Sequence, residues 1–301
     1  MKFSLWPSFE RPWTELVQLA TTMEAAGWHG FWYADHLMPN TEDGTPADGV
    51  AFECWTTLAA LAAVTSSLRL GSLVSPVTFH HPVVLAKRAT TVDHISGGRA
   101  VLGIGAGWQV NEHGAIGVEL APPKERVDRF EEAIEIISRV RTEARVTTVG
   151  KFFKATDLPF DPKPIGLQLM VGTSGPRMGA IAARWADEWN VWGTPETVAA
   201  ATDRFLAACE RVGRDPGTVH RSTQALVFMI DDPERAEKMR SRVPADRSLV
   251  GTSAELVEQI GRYVELGVDE FILPDFTLGS TAEQRLATYQ SFDEQVASAF
   301  R

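Results

Sequence analysis

The stretch GRAVLGIGAGWQVNEHGAIGVELAPPKERVDRFEEA, residues 98–133, contains the elements that decide the fold. Residues 99–104 form a short apolar run rich in branched side chains, which predicts a buried strand. Gly103, Gly105 and Gly107 alternate as that strand ends, so its backbone is expected to approach a ligand without side chains in the way. Polar and amphipathic side chains crowd the next positions, and a helical pattern begins at residue 122. The stretch therefore predicts a strand, a ligand-facing turn and a helix in succession.

Strand-like and helix-like patterns alternate on both sides of this stretch. Apolar runs predict strands at residues 2–6, 30–34, 68–74, 99–104, 167–171, 188–191, 221–230 and 270–273. Helical spacing and Gly or Pro boundaries predict helices at residues 13–27, 52–65, 82–94, 122–141, 176–185, 195–212, 233–240, 253–266 and 281–300. Residues 147–166 interrupt the alternation with a small hairpin around Gly150 and a proline-containing segment. This pattern predicts an α/β protein, a single (β/α)8 TIM barrel domain over residues 1–301 with an insertion before strand 5.

The overall composition excludes several classes of protein. The formal net charge of -10 and the lack of a basic run argue against nucleic acid as a partner, because phosphates are bound by clustered Lys and Arg. Cys54 and Cys209 are far apart, so we expect neither a disulfide framework nor a thiolate metal site. The chain has no leader-like start, and no apolar run reaches the roughly 18 residues that cross a membrane. We expect a soluble, cytoplasmic protein whose partner is a small molecule, with no membrane contact.

Motifs of several other catalytic classes are missing from the sequence. A GxGxxG dinucleotide fingerprint would need glycine at the position of Trp108, and no second βαβ half with an acidic ribose partner follows. No HExxH, GxSxG, Walker or paired-cysteine pattern occurs, so no metal site is predicted. The chemistry is therefore expected to come from a bound cofactor.

In a TIM barrel the active site lies at the C-terminal ends of the strands, so the residues that follow each strand are the candidates. The turn after strand 5, Gly172, Thr173, Ser174 and Gly175, combines small residues and two hydroxyls with a helix N-terminus, which favours phosphate binding. Arg177 would add a positive charge there. After strand 6, aromatic side chains either line an apolar substrate pocket or fill the barrel top.

The block GAGWQVNE at residues 105–112 resembles the F420-dependent branch of the luciferase-like oxidoreductases. Other segments resemble that branch in the same order: ADHL at residues 34–37, LGSLVSPVTFHHP at 70–82, VGTSGPR at 171–177 and ADEWNVWG at 186–193. The resemblance extends over nearly the whole chain. It implies a (β/α)8 barrel whose deazaflavin pocket is lined by the glycine-rich segment after strand 4.

The resemblance also implies roles for particular residues. Asp35 and His36 would contact the deazaflavin, and a non-proline cis peptide at Ser72–Leu73 would support the ring from behind. The cofactor-binding residues implied or predicted are Asp35, Ser72, Leu73, Ser75, Ala106, Gly107, Asn111, Gly172, Thr173, Ser174, Gly175 and Arg177. The predicted substrate pocket consists of Trp108, Trp189, Asn190 and Trp192. Sugar-phosphate dehydrogenases of this superfamily carry a glutamate acid where this chain has Trp108, which argues against that activity.

The sequence leaves open the roles of His36 and of the pair Glu112 and His113. His36 is the predicted catalytic residue, either as proton donor or as a residue that positions the ring, because an unperturbed histidine titrates near neutral pH. Glu112 and His113 are either pocket residues or part of a helix cap.

The expected function is hydride transfer between C5 of coenzyme F420 and a small, apolar, unsaturated or carbonyl substrate. An FMN-dependent luciferase-type monooxygenase that uses O2 is the first alternative, and a non-catalytic deazaflavin- or flavin-binding barrel is the second. A homodimer is expected only because relatives form one.

Overall fold

The computed structural model describes residues 1–173 and 175–301, so Ser174 lies outside the described residues. The strands are β1 (Lys2–Trp6), β2 (Gly30–Tyr33), β3 (Arg69–Ser72), β4 (Ser75–Pro76), β5 (Ala100–Gly105), β6 (Arg145–Val149), β7 (Lys154–Pro159), β8 (Gln168–Gly172), β9 (Glu188–Trp192), β10 (His220–Gln224), β11 (Leu226–Met229), β12 (Ser248–Gly251) and β13 (Glu270–Pro274). The helices are α1 (Trp13–Ala25), α2 (Cys54–Val64), α3 (Pro82–Ser96), α4 (Val110–Ala115), α5 (Pro123–Thr142), α6 (Pro176–Trp185), α7 (Pro195–Val212), α8 (Pro233–Arg240), α9 (Ser253–Glu265) and α10 (Ala282–Gln295). Short 3-10 turns are formed by Pro216–Thr218 and Ala297–Phe300.

The strands β1, β2, β3, β5, β8, β9, β10 and β13 pair in parallel and close into a barrel, because β13 returns to pair with β1. The predicted (β/α)8 fold is confirmed. The predicted insertion is also confirmed, since β6 and β7 form an antiparallel hairpin between α5 and the fifth barrel strand, β8. None of the helices in the described part of the chain is long and apolar enough to span a membrane.

The predicted seventh strand, residues 221–230, was wrong. Residues 221–230 form two strands, because β10 pairs with β9 and β13 only as far as Gln224, and β11 then pairs with β12 in a separate sheet. The short elements β12 and α4 were not predicted.

Side chains alternate between two apolar layers along the barrel strands. In β1, Phe3 and Leu5 pack in the large core between barrel and helices, whereas Trp6 belongs to a smaller cluster inside the barrel. That inner cluster also contains Leu73 and Met170. Side chains of the described residues therefore fill the barrel interior, and a ligand site is expected at a rim of the barrel.

The N-terminal rim of the barrel is stabilised by a buried charge network. Arg69, at the start of β3, donates to Glu188 at 2.7 Å and to Glu270 at 2.8 Å, and both carboxylates are fully buried. His220 approaches Glu270 at 3.0 Å. These ligand types also occur in metal sites, but Arg69 already supplies the compensating positive charge. At this rim of a TIM barrel, such a network is expected to serve stability rather than chemistry.

Burial by itself would lower the pKa of His220, but the hydrogen bond to Glu270 and the nearby charge of Glu188 raise it above its ordinary value of 6.5. The same neighbours act in reverse on Glu270. Its burial would raise the pKa of the carboxyl group, yet the hydrogen bond from His220 and the charge of Arg69 lower it. The ion pair therefore favours a protonated His220 in the folded state.

A group whose pKa is raised on folding stabilises the protein fully below its unfolded pKa, and that contribution is lost as the pH rises through the folded pKa. We therefore expect the free energy of unfolding of wild type to be higher than that of His220→Gln. The difference should be largest at about pH 6 and should shrink toward about pH 9. Urea unfolding at both pH values measures it, and His94→Gln, at an exposed position, serves as control. A difference that grows with pH would contradict this account.

Candidate active site

A cleft of about 980 Å³ opens at the C-terminal ends of the barrel strands. The ends of β9 and β10 and the ends of, or segments after, β1, β2, β3, β5, β8 and β13 contribute to its walls. A smaller recess of about 240 Å³ adjoins it and is lined by Gly105, Ala106 and Gly107 together with Pro76 and Met178. His36, Val74, Trp108, Gly172 and Thr173 line both spaces. The cleft lies where active sites of this fold are found.

The three alternating glycines make room for residues 72–78 of the chain itself. A Cβ atom at Gly103 would overlap the carbonyl oxygen of Ser72, and one at Gly105 would lie 2.6 Å from Val74. At Gly107, which has a positive φ of 80°, it would lie 2.6 Å from the hydroxyl of Thr78. The expectation that these glycines admit a ligand was therefore wrong for Gly103. Gly105 and Gly107 also line the recess, but they first accommodate a neighbouring strand end.

The non-proline cis peptide lies between Leu73 and Val74, so the expected position at Ser72–Leu73 was wrong by one residue. Ser72 still belongs to β3, where it pairs with Tyr33, and the amide of Leu73 donates to the carbonyl of Tyr33. The strand geometry therefore continues through Leu73 before the chain turns. Leu73 and Val74 line the cleft, and the cofactor contact of Leu73 stays a prediction.

Asp35 and Ser75 lie behind the cleft wall and do not line it. The carboxylate of Asp35 accepts from the hydroxyl of Ser75 at 2.5 Å and lies 2.9 Å from Nε2 of His80. The indole of Trp55 donates to Ser75 at 3.0 Å. The predicted direct contact of Asp35 and Ser75 with a cofactor is not favoured by this geometry, because both side chains are buried in bonds to other protein groups.

Ser72 and Asn111 are also buried in bonds to the protein. The hydroxyl of Ser72 donates to the carbonyl of Gly103 at 2.8 Å, and Nδ2 of Asn111 donates to the carbonyl of Pro39 at 2.8 Å. Neither side chain lines the cleft. The buried Oδ1 of Asn111 has no hydrogen-bond partner among the described residues.

His36 faces the cleft between two aromatic rings. Its ring centroid lies 5.4 Å from that of Trp108, nearly perpendicular to it, and 5.6 Å from that of Phe9. Nδ1 of His36 lies 3.1 Å from a carboxylate oxygen of Glu112. His36 is therefore the predicted titratable residue that the structure places in the cleft wall.

Aromatic and amide side chains form the floor of the cleft. Trp6 makes edge contacts with Trp192 and Phe276 at 5.0 Å each, and Asn190 exchanges two hydrogen bonds with Gln224. All five residues line the cleft, which agrees with the expectation for Asn190 and Trp192.

Trp189 lies on the opposite face of β9 from Asn190 and Trp192. It stacks on Phe205 of α7 at 4.4 Å and donates to the carbonyl of Thr173 at 3.1 Å. Its placement in the substrate pocket was wrong, because adjacent residues of a strand point to opposite sides of the sheet.

The turn after β8 places Gly172 and Thr173 in the cleft wall. The amide of Gly175, which precedes α6, donates to the hydroxyl of Thr173 at 3.0 Å. Arg177 forms ion pairs with Asp128 at 2.6 Å and Glu131 at 2.8 Å. The structure therefore directs Arg177 toward α5, and its predicted contact with a phosphate is not favoured.

The loop after β1 was given no role in the sequence analysis, yet Phe9, Glu10 and Arg11 line the cleft. The buried carboxylate of Asp275, which follows β13, holds this loop by accepting from the amide of Ser8 at 2.9 Å and from Arg11 at 2.9 and 3.0 Å. The sequence did contain a signal for these residues, because they follow the predicted strands β1 and β13. Arg247, before the unpredicted β12, also lines the cleft and carried no such signal.

Comparison with known proteins places this architecture in a family. The model for luciferase-like monooxygenases matches residues 1–246. The chain belongs to that family. An F420-dependent hydroxymycolic acid dehydrogenase of Mycobacterium tuberculosis is 30% identical over 223 residues, which are 73% of this chain but only 61% of that protein.

Two further likenesses agree with the family assignment. An F420-dependent glucose-6-phosphate dehydrogenase of Nakamurella multipartita is 34% identical over 233 residues, which cover 74% of this chain and 66% of that protein. The structure of the coenzyme F420-dependent tetrahydromethanopterin reductase from Methanopyrus kandleri superposes with a TM-score of 0.80 at 17% identity, covering 100% of this chain and 99% of that one. The latter likeness concerns the fold alone.

The glycine packing predicts the effect of one added methyl group. Gly103→Ala should lower the free energy of unfolding by about 1–3 kcal/mol, because the methyl group would overlap the backbone of Ser72. Gly114→Ala, in α4 and with no atom near the added carbon, should be neutral or slightly stabilising. Denaturant unfolding of both variants measures the difference, and equal stability of the two would contradict the packing argument.

Proposed function

We propose that the protein is an F420-dependent oxidoreductase that catalyses hydride transfer between the deazaflavin C5 and a small, apolar substrate with an unsaturated or carbonyl bond. The observation that carries the proposal is the cleft at the catalytic rim of a luciferase-like barrel, in which one histidine lies among aromatic, amide and charged side chains. The two dehydrogenases reported above are named for the same cofactor.

The volume and the lining of the cleft are compatible with a planar ring system. Its volume of about 980 Å³ lies at the upper end of the usual range for small-molecule sites. Leu73, Val74, Gly172 and Thr173 would hold the deazaflavin, and the turn before α6 would receive the phosphate of its side chain. Bound F420 supplies the hydride chemistry at C5.

The chain's own residues would position the substrate, exclude water and move a proton. Addition of hydride to a carbonyl leaves negative charge on oxygen, which needs a nearby acid, and His36 is the cleft residue suited to donate that proton. Trp108 can donate a hydrogen bond from its indole but no proton, so it would shape the pocket. With Trp108 where the sugar-phosphate dehydrogenases carry an acid, we expect a substrate other than a sugar phosphate.

The two alternatives differ in cofactor and in turnover. A luciferase-type monooxygenase would bind FMN and consume O2, and a storage barrel would bind a cofactor without turning over a substrate. The homodimer and the cytoplasmic location stay predictions.

Titration with F420 and with FMN, followed by the fluorescence of the cleft tryptophans, separates these functions. We expect F420 to bind at least tenfold more tightly than FMN, a difference of about 1.4 kcal/mol. Reoxidation of reduced F420 by a panel of ketones and cyclic enones under anaerobic conditions then tests turnover. Tighter binding of FMN with O2 consumption would favour the monooxygenase, and F420 binding without turnover of any substrate would favour the storage barrel.

The turn between β8 and α6, which would receive the phosphate, allows a test in which the affinity for F420 and the stability of the protein change in opposite directions. Gly175 has the extended backbone of a helix N-cap, and the nearest atom to the position of a Cβ atom is the hydroxyl oxygen of Thr173 at 3.8 Å, an ordinary contact distance. Gly175→Asp should stabilise α6 by capping it, yet its charge should repel the phosphate and weaken F420 binding by tenfold or more, about 1.4 kcal/mol.

Gly175→Asn is the matched control, because it caps the helix without the charge. F420 titration and thermal unfolding of both variants give the comparison. If the Asp and Asn variants bind F420 equally well, the phosphate lies elsewhere.

A further inference from the structure

The carboxylate of Glu112 joins two neighbouring groups of the segment after β2. Its Oε1 lies 3.1 Å from Nδ1 of His36, and its Oε2 accepts from the backbone amide of Leu37 at 3.0 Å. Glu112 itself is 1% exposed. His36 is its one ion-pair partner among the described residues. Both carboxylate oxygens are therefore committed to two consecutive residues.

These two bonds determine which nitrogen of His36 carries the proton when the ring is neutral. A carboxylate only accepts hydrogen bonds, so Nδ1 must present an N–H to Glu112. Nε2 has no hydrogen-bond partner among the described residues, and the ring lies in the cleft wall. The bond at one ring nitrogen thus defines the chemistry available at the other.

The position of the ring does not depend on Glu112 alone. Nε2 of Gln109 donates to the carbonyl of Met38 at 2.9 Å, and Nδ2 of Asn111 donates to the carbonyl of Pro39 at 2.8 Å. Three buried side chains at the start of α4 therefore hold three successive backbone positions, residues 37–39. Loss of the charge on Glu112 would leave two of these attachments in place.

We propose that Glu112 is a positioning residue that holds His36 as the Nδ1–H tautomer and directs Nε2 toward the reacting substrate. The catalytic consequence, which rests on the proposed function, is that the proton is exchanged at Nε2. When the substrate oxygen takes the proton, the electron pair of the Nε2–H bond stays on nitrogen and the ring becomes neutral. Nδ1–H remains bonded to Glu112, whose charge stabilises the protonated ring before transfer.

Glu112→Gln should invert the tautomer of His36, because the amide of Leu37 can only donate a hydrogen bond whereas Nδ1 of His36 can donate or accept one. The amide of Leu37 is always a donor, so the oxygen of the new side chain must face Leu37. Its NH2 group then faces Nδ1 of His36, which can satisfy it only as an acceptor. The neutral ring must therefore carry its proton on Nε2.

The tautomer is measured directly by 15N NMR of the full chain labelled with 15N-histidine, at a pH where the ring is neutral. His36→Asn identifies the signals by their loss. We expect protonated Nδ1 in wild type and a shift of the tautomer ratio toward Nε2–H by roughly tenfold or more in Glu112→Gln, as for one hydrogen bond. Glu119→Gln, which removes the same charge from an exposed position that makes no hydrogen bond to His36 or its neighbours among the described residues, should match wild type.

Either of two results would overturn the proposal: an Nε2–H tautomer in wild type, or an unchanged ratio in a folded Glu112→Gln. The wild-type spectrum decides the matter even if the variant fails to fold. F420 titration of the same proteins keeps the two proposals apart. Absence of F420 binding by wild type would refute the proposed function, whereas the tautomer tests the role of Glu112.

Discussion

The close contact between residues 72–78 and the end of β5 is the constraint on which the cleft depends. Gly103, Gly105 and Gly107 bring the backbone of one strand against the turn of its neighbour, with no room for a Cβ atom. This contact places Leu73 and Val74 in the cleft wall and leaves the glycine-lined recess beside them. The same glycines thus serve packing first, and the ligand surface follows from that packing.

Next to this wall, two groups of polar side chains bond to one another or to the backbone, while other polar side chains, among them Asn190, Gln224 and Arg247, line the cleft itself. Asp35, Ser75 and His80 form one such group, and the side chains at the start of α4 form another with residues 36–39. Buried polar side chains with hydrogen-bond partners help to fix the arrangement of the loops that carry them, although Oδ1 of Asn111 has no partner among the described residues. The two rims therefore differ. The network around Arg69 stabilises the N-terminal rim, while the C-terminal rim presents His36 to the cleft.

The sequence was sufficient to predict the barrel because its strands are apolar runs between helices with clear Pro and Gly boundaries. The bounds of α6, α7 and α8 agree with those expected from proline starts. It was insufficient for α4 and β12, which are short and whose formation depends on contacts with distant residues. The local spacing of apolar and polar residues does not predict such contacts.

For the site, position after a strand indicated which segments meet but not which side chains face the ligand. Asp35 and His36 are adjacent, yet one is buried behind the wall and the other lies in it. The strand alternation that separates Trp189 from Trp192 was available in the sequence and would have excluded Trp189. The ion-pair partners of Arg177 on α5 could not be predicted from the sequence, since they lie about 50 residues away in the chain.

The structure of the complex with F420 tests the central claim most directly. The account predicts the deazaflavin ring against Leu73 and Val74, within reach of His36, with the phosphate at the turn before α6. A ring bound outside this cleft, or one held in it with its reactive face turned away from His36 and Trp108, would contradict the account.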